Sequence, residues 1–87
     1  MQTFSDRPDI REALQTLDAE ELQIFIRLLS PRESVVLHGR VVGRPPRRWE
    51  SLARTMGISR ERVRQIEAEL VKKFEAWKSP PGPRISV

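Results

Sequence analysis

Apolar residues recur along this chain at intervals of three and four, the spacing of amphipathic helices, and the pattern predicts five helices. Asp6, Pro8 and Asp9 mark the start of the first. The predicted helices span about residues 7–16, 19–29, 31–42, 49–56 and 60–78. No segment alternates as a half-buried strand does. We therefore expect an all-α fold, a small domain of about five helices.

Capping and turn residues divide the chain into segments. Asp18 with Glu21 is a capping-box-like start for the second helix, and Ser30 with Glu33 forms a capping box for the third. Gly43 is the expected stop of the third helix. We expect an acidic and apolar helical extension over residues 1–30, a core domain over 31–78 and a Pro-rich flexible tail over 79–87.

The second half of the chain carries the residue spacing of a helix-turn-helix. Counting Trp49 as position one, the small residue Ala53 is fifth, where two helices cross closely. Gly57 is ninth, where the turn needs positive φ. Ser59 then provides a simple N-cap. The other apolar offsets are filled by Leu52, Met56, Ile58, Val63 and Ile66. Such a unit places its second helix in the DNA major groove.

The fifth predicted helix has one apolar and one polar face. At about 100° per residue, the apolar stripe consists of Val63, Ile66, Leu70, Phe74 and Trp77. The outward face consists of Glu61, Gln65, Ala68 and Lys72, flanked by Arg64, with Arg60 and Arg62 nearer the edges. Arginine pairs with guanine, glutamine with adenine, and glutamate accepts from cytosine. This face suits base reading, and a solvated face of internal ion pairs is the alternative. The two tryptophans are expected to pack rather than to stack on bases.

Three runs of residues resemble region 4 of the housekeeping sigma factors of bacteria: Leu29–Glu33, Trp49–Ile58 and Ser59–Ala68. The resemblance covers about residues 29–76. In that family the domain reads the −35 promoter element and docks on the flap of the RNA polymerase β subunit. Matching positions imply that the bases are contacted by Arg60, Glu61, Arg62, Arg64 and Gln65. They imply phosphate contacts for Arg32 and Arg48.

Two residues and one connection depart from the family pattern. Gly39 stands mid-helix where a larger residue is usual, and glycine there costs about 1 kcal/mol relative to alanine. The connection Val42–Arg48 lacks the usual pattern, and Glu69 stands where a basic residue is common. These departures bear on base preference rather than on the fold.

Charge is unevenly distributed along the chain. Residues 1–30 carry a net charge of −3 and residues 31–87 a net charge of +7, for a total of +4. A basic segment suits a polyanion partner, whereas an acidic one is expected to face away from DNA. Pro45 and Pro46 stiffen a basic loop. We expect DNA phosphates to be held by this loop and by a lysine of the outward face, through Arg44, Arg47, Arg48 and Lys72.

The second predicted helix is apolar on more than one side, which is typical of a helix that is central in a core or faces a partner. Burial under the first helix, a protein-docking surface and self-association all account for the pattern. The docking surface would consist of Leu22, Phe25, Ile26, Leu29 and Val36. The sigma resemblance implies that its partner is the RNA polymerase β flap. Self-association would suit a homodimer on a palindromic DNA site.

Composition argues against an enzyme. The chain has no cysteine, and its lone His38 is read as structural or as a surface residue. No catalytic constellation, cofactor motif or metal-ligand spacing is visible, so we expect no cofactor and no small-molecule substrate. No apolar run is long enough to span a membrane, and the cytoplasm of a bacterium, or of a phage host, is the expected location.

These patterns favour a DNA-binding transcription regulator. We expect it to bind double-stranded promoter DNA through the helix that begins at Arg60, and to contact RNA polymerase so as to redirect or activate transcription. At 87 residues there is no room for the sigma regions that recognise the −10 element and melt DNA. A complete sigma factor is therefore not expected if this is the whole gene product. The alternatives are a free-standing dimeric helix-turn-helix repressor or activator, and a polymerase- or sigma-binding inhibitor.

Overall fold

The computed structural model describes residues 1–78, in which five α-helices lie in the predicted order. They are α1 (Pro8–Gln15), α2 (Ala19–Ile26), α3 (Pro31–Leu37), α4 (Trp49–Met56) and α5 (Arg60–Lys78), and a π-helical segment, His38–Val42, continues α3. No strand is present between residues 1 and 78, and the expected all-α fold is confirmed. The predicted flexible tail, residues 79–87, lies outside the described residues.

Helix starts follow the capping residues seen in the sequence, with one exception. Ser30 and Glu33 make both halves of a capping box. Asp18 accepts from the backbone N–H of Glu21 over 2.8 Å. Asp6 instead accepts from the backbone N–H of Thr3 over 3.1 Å, which leaves α1 without a side-chain cap. The expectation that Asp6 opens α1 is wrong because its carboxylate closes the turn before the helix.

The core is built around α5, which α1, α3 and α4 all contact. Its predicted apolar stripe is buried, apart from Trp77, which is half-buried. Helix α2 joins through Phe25, whose ring meets that of Phe74 edge-on at 5.5 Å and that of Trp77 at 5.1 Å. Full burial of each large apolar side chain stabilises the fold by about 1.5–3 kcal/mol. Residues on both sides of the predicted boundary at residue 30 share this core.

The third predicted helix changes character at its C-terminal end. Gly43 donates its N–H over 2.8 Å to the carbonyl of His38, which lies five residues earlier in the chain. This spacing defines the π-helical turn. The carbonyl of Gly39, which an α-helix would have used here, accepts from the backbone N–H of Arg47 over 2.8 Å instead. The wider turn therefore ties the basic loop to the helix that precedes it.

Gly39 has a packing reason for lacking a side chain. A Cβ at this position would lie 2.7 Å from Cδ2 of Leu52, which is fully buried. The π-helical segment and α4 can approach this closely only because residue 39 has no Cβ. The glycine at residue 39, which departs from the family pattern, is thus explained by the close packing of Leu52 of α4.

Candidate nucleic-acid interface

The turn between α4 and α5 has the backbone geometry predicted for a helix-turn-helix. Gly57 is left-handed, with φ of 70° and ψ of 33°, and the N–H of Ile58 reaches the carbonyl of Ala53 over 3.1 Å. Ser59 accepts from the backbone N–H of Arg62 over 3.0 Å and so caps α5. Ala53 is buried at the crossing of the two helices. The turn leaves the first residues of α5 facing outward.

The predicted base-contacting residues lie together on the first two turns of α5. Arg60, Glu61 and Arg62 are exposed, whereas Arg64 and Gln65 are half-buried. Four of them pair with one another, whereas Arg60 lies 3.9 Å from Glu50 of α4. Arg64 bridges to Glu61 at 2.5 Å, and Arg62 donates to Gln65 over 3.3 Å. Arginine, glutamate and glutamine are side-chain types that can form hydrogen bonds with base edges, and pairing holds these side chains near one surface.

Arg64 also lies against an aromatic ring. The guanidinium carbon of Arg64 is 5.3 Å from the ring centroid of Trp49. The guanidinium carbon of Arg40 is 5.1 Å from the same centroid. The indole N–H of Trp49 donates to Glu67 over 2.9 Å. Both tryptophans pack against the core, as expected, and the absence of base stacking stays a prediction. Trp49 has in addition a polar connection from α4 to the middle of α5.

Glu67 is a fully buried carboxylate that the sequence pattern did not predict as a functional residue. One oxygen accepts from Arg40 over 2.7 Å and from Trp49, and the other from the backbone N–H of Phe4 over 2.7 Å. A buried charge requires such partners. Its position in the sequence could have indicated burial. Glu67 lies within about 20° of Phe74 on the helix projection and so borders the apolar stripe.

Residues 1–7 pack along α5, which corrects one predicted position. Phe4 is buried in the core, and Arg7 bridges to Glu75 over 2.6 Å. Met1 and Gln2 line a shallow groove beside Ala68. Ala68 was expected on the outward face, but only 9% of it is exposed. The prediction is wrong because the N-terminal segment covers that side of the helix.

The predicted phosphate-contacting residues fall into two groups. Four of them are exposed and point their charges into solvent: Arg32, Arg44, Arg48 and Lys72. Arg47 is half-buried, and its guanidinium donates to the hydroxyls of Ser51 and Thr55 over 2.8 and 2.6 Å. Arg47 therefore braces the loop against α4.

The predicted docking surface needs correction at two residues. Phe25 and Val36 are fully buried, so neither can be touched by a partner in this conformation. Three others are half-buried: Leu22, Ile26 and Leu29. The large apolar side chains that α2, its C-terminal turn and α3 do expose are Ile24, Leu28 and Val35, at 49%, 53% and 40%. All three are apolar positions in the sequence pattern of this region, and only their exposure in the fold separates them from Phe25 and Val36. Helix α2 ends at Ile26 rather than near residue 29.

The left-handed turn, the buried crossing and the polar start of α5 define a helix-turn-helix DNA-binding domain. The chain belongs to the sigma-70 region 4 family, whose model matches residues 25–73. It is 40% identical over 72 residues to the RNA polymerase principal sigma factor HrdC of Streptomyces coelicolor. The match covers 79% of this chain and 20% of that protein, so the chain spans about a fifth of this relative's length. A comparison with solved structures found no match.

Between residues 1 and 78, no helix has both the length and the apolarity of a membrane span. Over the same residues, no three metal-ligating side chains come together. His38 is exposed, with Nδ1 2.8 Å from the carbonyl of Ser34.

Proposed function

We propose that this chain binds double-stranded promoter DNA through the first two turns of α5 and contacts RNA polymerase through apolar side chains of α2, its C-terminal turn and α3. It would thereby direct polymerase to chosen promoters. The observation that carries the proposal is the cluster of Arg60, Glu61, Arg62, Arg64 and Gln65 at the start of a capped helix that follows a left-handed turn. The similarity to a principal sigma factor supports it.

Charge supports the DNA half of the proposal. The start of α5, the basic loop and Lys72 carry exposed cations, whereas most acidic residues of the chain's first third lie on α1 and α2. Phosphate contacts would orient the domain, and the polar side chains of α5 would read base edges. One good bidentate contact discriminates between base pairs by about 1–3 kcal/mol.

The polymerase half rests on the exposed apolar side chains of α2, its C-terminal turn and α3. Ile24, Leu28 and Val35 are each 40% exposed or more. Helix α2 packs on Phe74 and Trp77, about ten residues after Arg64 on α5. Ten residues of helix span about 15 Å, so a protein on α2 would leave the DNA-reading residues free.

The DNA half is tested by selecting from a pool of randomised duplexes with the purified chain. Enrichment of a short motif, lost in Arg60→Ala, is the expected result. A folded protein that enriches no motif would overturn sequence-specific binding. A palindromic motif together with a dimeric mass in size-exclusion chromatography would favour the free-standing dimer instead.

The polymerase half is tested by titrating core enzyme and the isolated β-flap fragment without DNA. We expect binding that Leu28→Asp abolishes, since Leu28 is exposed and the variant should fold. Val42→Asp is the matched control, because Val42 is 47% exposed but lies on the π-helical segment. No binding by the folded wild-type protein would refute polymerase contact.

A further inference from the structure

Two of the predicted base-reading arginines differ in how far they are restrained. The side chain of Arg60 is 60% exposed, and its carboxylate neighbour, Glu50, is 3.9 Å away. The side chain of Arg64 is 35% exposed, bridges to Glu61 and lies over the ring of Trp49. Arg64 is therefore held at two points, and Trp49 belongs to α4 rather than to α5.

The ring of Trp49 is itself held in place. Its N–H donates to Glu67, and that buried carboxylate is bound by Arg40 and by the backbone of Phe4. An indole with a fixed hydrogen bond cannot turn freely about its side-chain torsions. Glu67 thus holds the ring beneath Arg64. It is bound by three parts of the chain: the N-terminal segment, the π-helical segment and α4.

We propose that Trp49 is a positioning residue that sets the orientation of the Arg64 guanidinium and thereby determines base preference where Arg64 meets DNA. The inference rests on the proposed DNA-binding function. Its physical basis is that an arginine held over an aromatic ring is attracted by the ring's negative face. A side chain ordered before binding also loses less conformational freedom when the complex forms.

The test compares Trp49→Leu, Trp49→Phe and Arg64→Ala on the duplex motif selected by the wild-type chain and on its single-base variants. Trp49→Leu should relax preference at the base pairs that Arg64→Ala relaxes, by about two- to tenfold, and leave the other positions unchanged. Trp49→Phe keeps an aromatic face and should retain most of that preference. Trp77→Leu is the matched control, since Trp77 packs on Phe25 and Phe74 at the other end of α5.

A double-mutant cycle separates positioning from simple loss of stability. In the Arg64→Ala background, Trp49→Leu should cause no further loss of base preference, because the residue through which it acts is absent. All measurements are made where thermal melts show each variant to be folded. If Trp49→Leu preserves preference, or if its effect persists undiminished without Arg64, the positioning role is refuted. If the wild-type chain shows no preference at all, the proposed function itself has failed.

Discussion

Arg40 donates a hydrogen bond from Nε to the buried carboxylate of Glu67 over 2.7 Å, and so joins the π-helical segment to the middle of α5. The arginine is only 16% exposed and the glutamate is fully buried. A buried ion pair adds little net stability relative to an apolar pair, but removing one partner strands the other charge. The pair therefore specifies how these elements fit together, and it is sensitive to single substitutions.

Glu67→Ala should strongly destabilise the fold. It leaves Arg40 without its partner and strands the N–H groups of Trp49 and Phe4. We expect a loss of about 3–5 kcal/mol in the free energy of unfolding, measured by urea denaturation. Glu69→Ala changes an exposed residue of the same helix and should stay within about 0.5 kcal/mol of wild type. Equal midpoints for the two variants would show that the buried network is not needed.

Gly39→Ala should destabilise the protein although alanine is the better helix former. The new Cβ would lie 2.7 Å from Cδ2 of Leu52, and overpacking of a core commonly costs about 1–3 kcal/mol. The gain in helix propensity is about 1 kcal/mol or less. In a Leu52→Ala background the clash disappears, so Gly39→Ala should then be neutral or stabilising. A stabilised single variant in thermal melts would contradict the close approach.

Gly57→Val should disrupt the turn between α4 and α5. The backbone there has φ of 70°, and a Cβ at this position would meet nothing within 4 Å. The cost is therefore backbone strain, about 1–2 kcal/mol for an ordinary residue and more for a β-branched one. Gly57→Asn is the control, since asparagine tolerates this conformation. Wild-type thermal melting of the valine variant would refute the prediction.

Stability should fall in acid because of Glu33. Burial by itself raises the pKa of this carboxyl, but hydrogen bonds from Lys73 and from the backbone of Ser30 outweigh it and bring the pKa below its ordinary value of 4.5. A lowered pKa in the folded state contributes stability above the unfolded pKa, and that stability is lost as pH falls through the folded pKa. Glu33→Gln should therefore show a smaller loss of unfolding free energy between about pH 6 and about pH 3.

Lys73→Met tests the same ion pair by removing the partner of Glu33. Lys73 lies 2.7 Å from the carboxylate of Glu33, and removing its charge should flatten the same part of the pH profile. An unchanged acid slope in both variants would assign the acid sensitivity to other carboxylates.

Alanine substitutions of Arg47 and Arg48 should differ in their effect on stability, although the two residues are neighbours in the basic loop. Arg48→Ala removes an exposed charge, so DNA affinity should fall evenly across sequences and the salt slope should decrease by about one ion. Arg47→Ala should also lower the melting temperature, because it breaks the bonds to Ser51 and Thr55. Salt titrations and thermal melts of both variants make the comparison. An unchanged salt slope for Arg48→Ala would remove that residue from the interface.

Local chemistry made most of the fold and the start of the candidate site predictable. Ser30, Ser59 and Gly57 act within a few residues of themselves, since a cap or a left-handed turn depends on the adjacent backbone. Apolar periodicity likewise predicted the buried apolar stripe of α5, but not the burial of Ala68 outside that stripe. The same rules were less successful at Asp6, whose carboxylate accepts from Thr3 in the preceding turn while α1 has no side-chain cap.

Sequence alone thus determined the five helices, the helix-turn-helix and the polar residues at the start of α5, because these depend on contacts between near neighbours along the chain. Only the tertiary structure decided that Glu67 is buried, that Phe4 belongs to the core and that Gly39 makes room for Leu52. It also buried Phe25 and Val36, which the sequence left open as docking residues. Each of these features depends on contacts between residues far apart in the chain. The free-energy cost of burying a charge or a Cβ depends on which groups the fold places next to it.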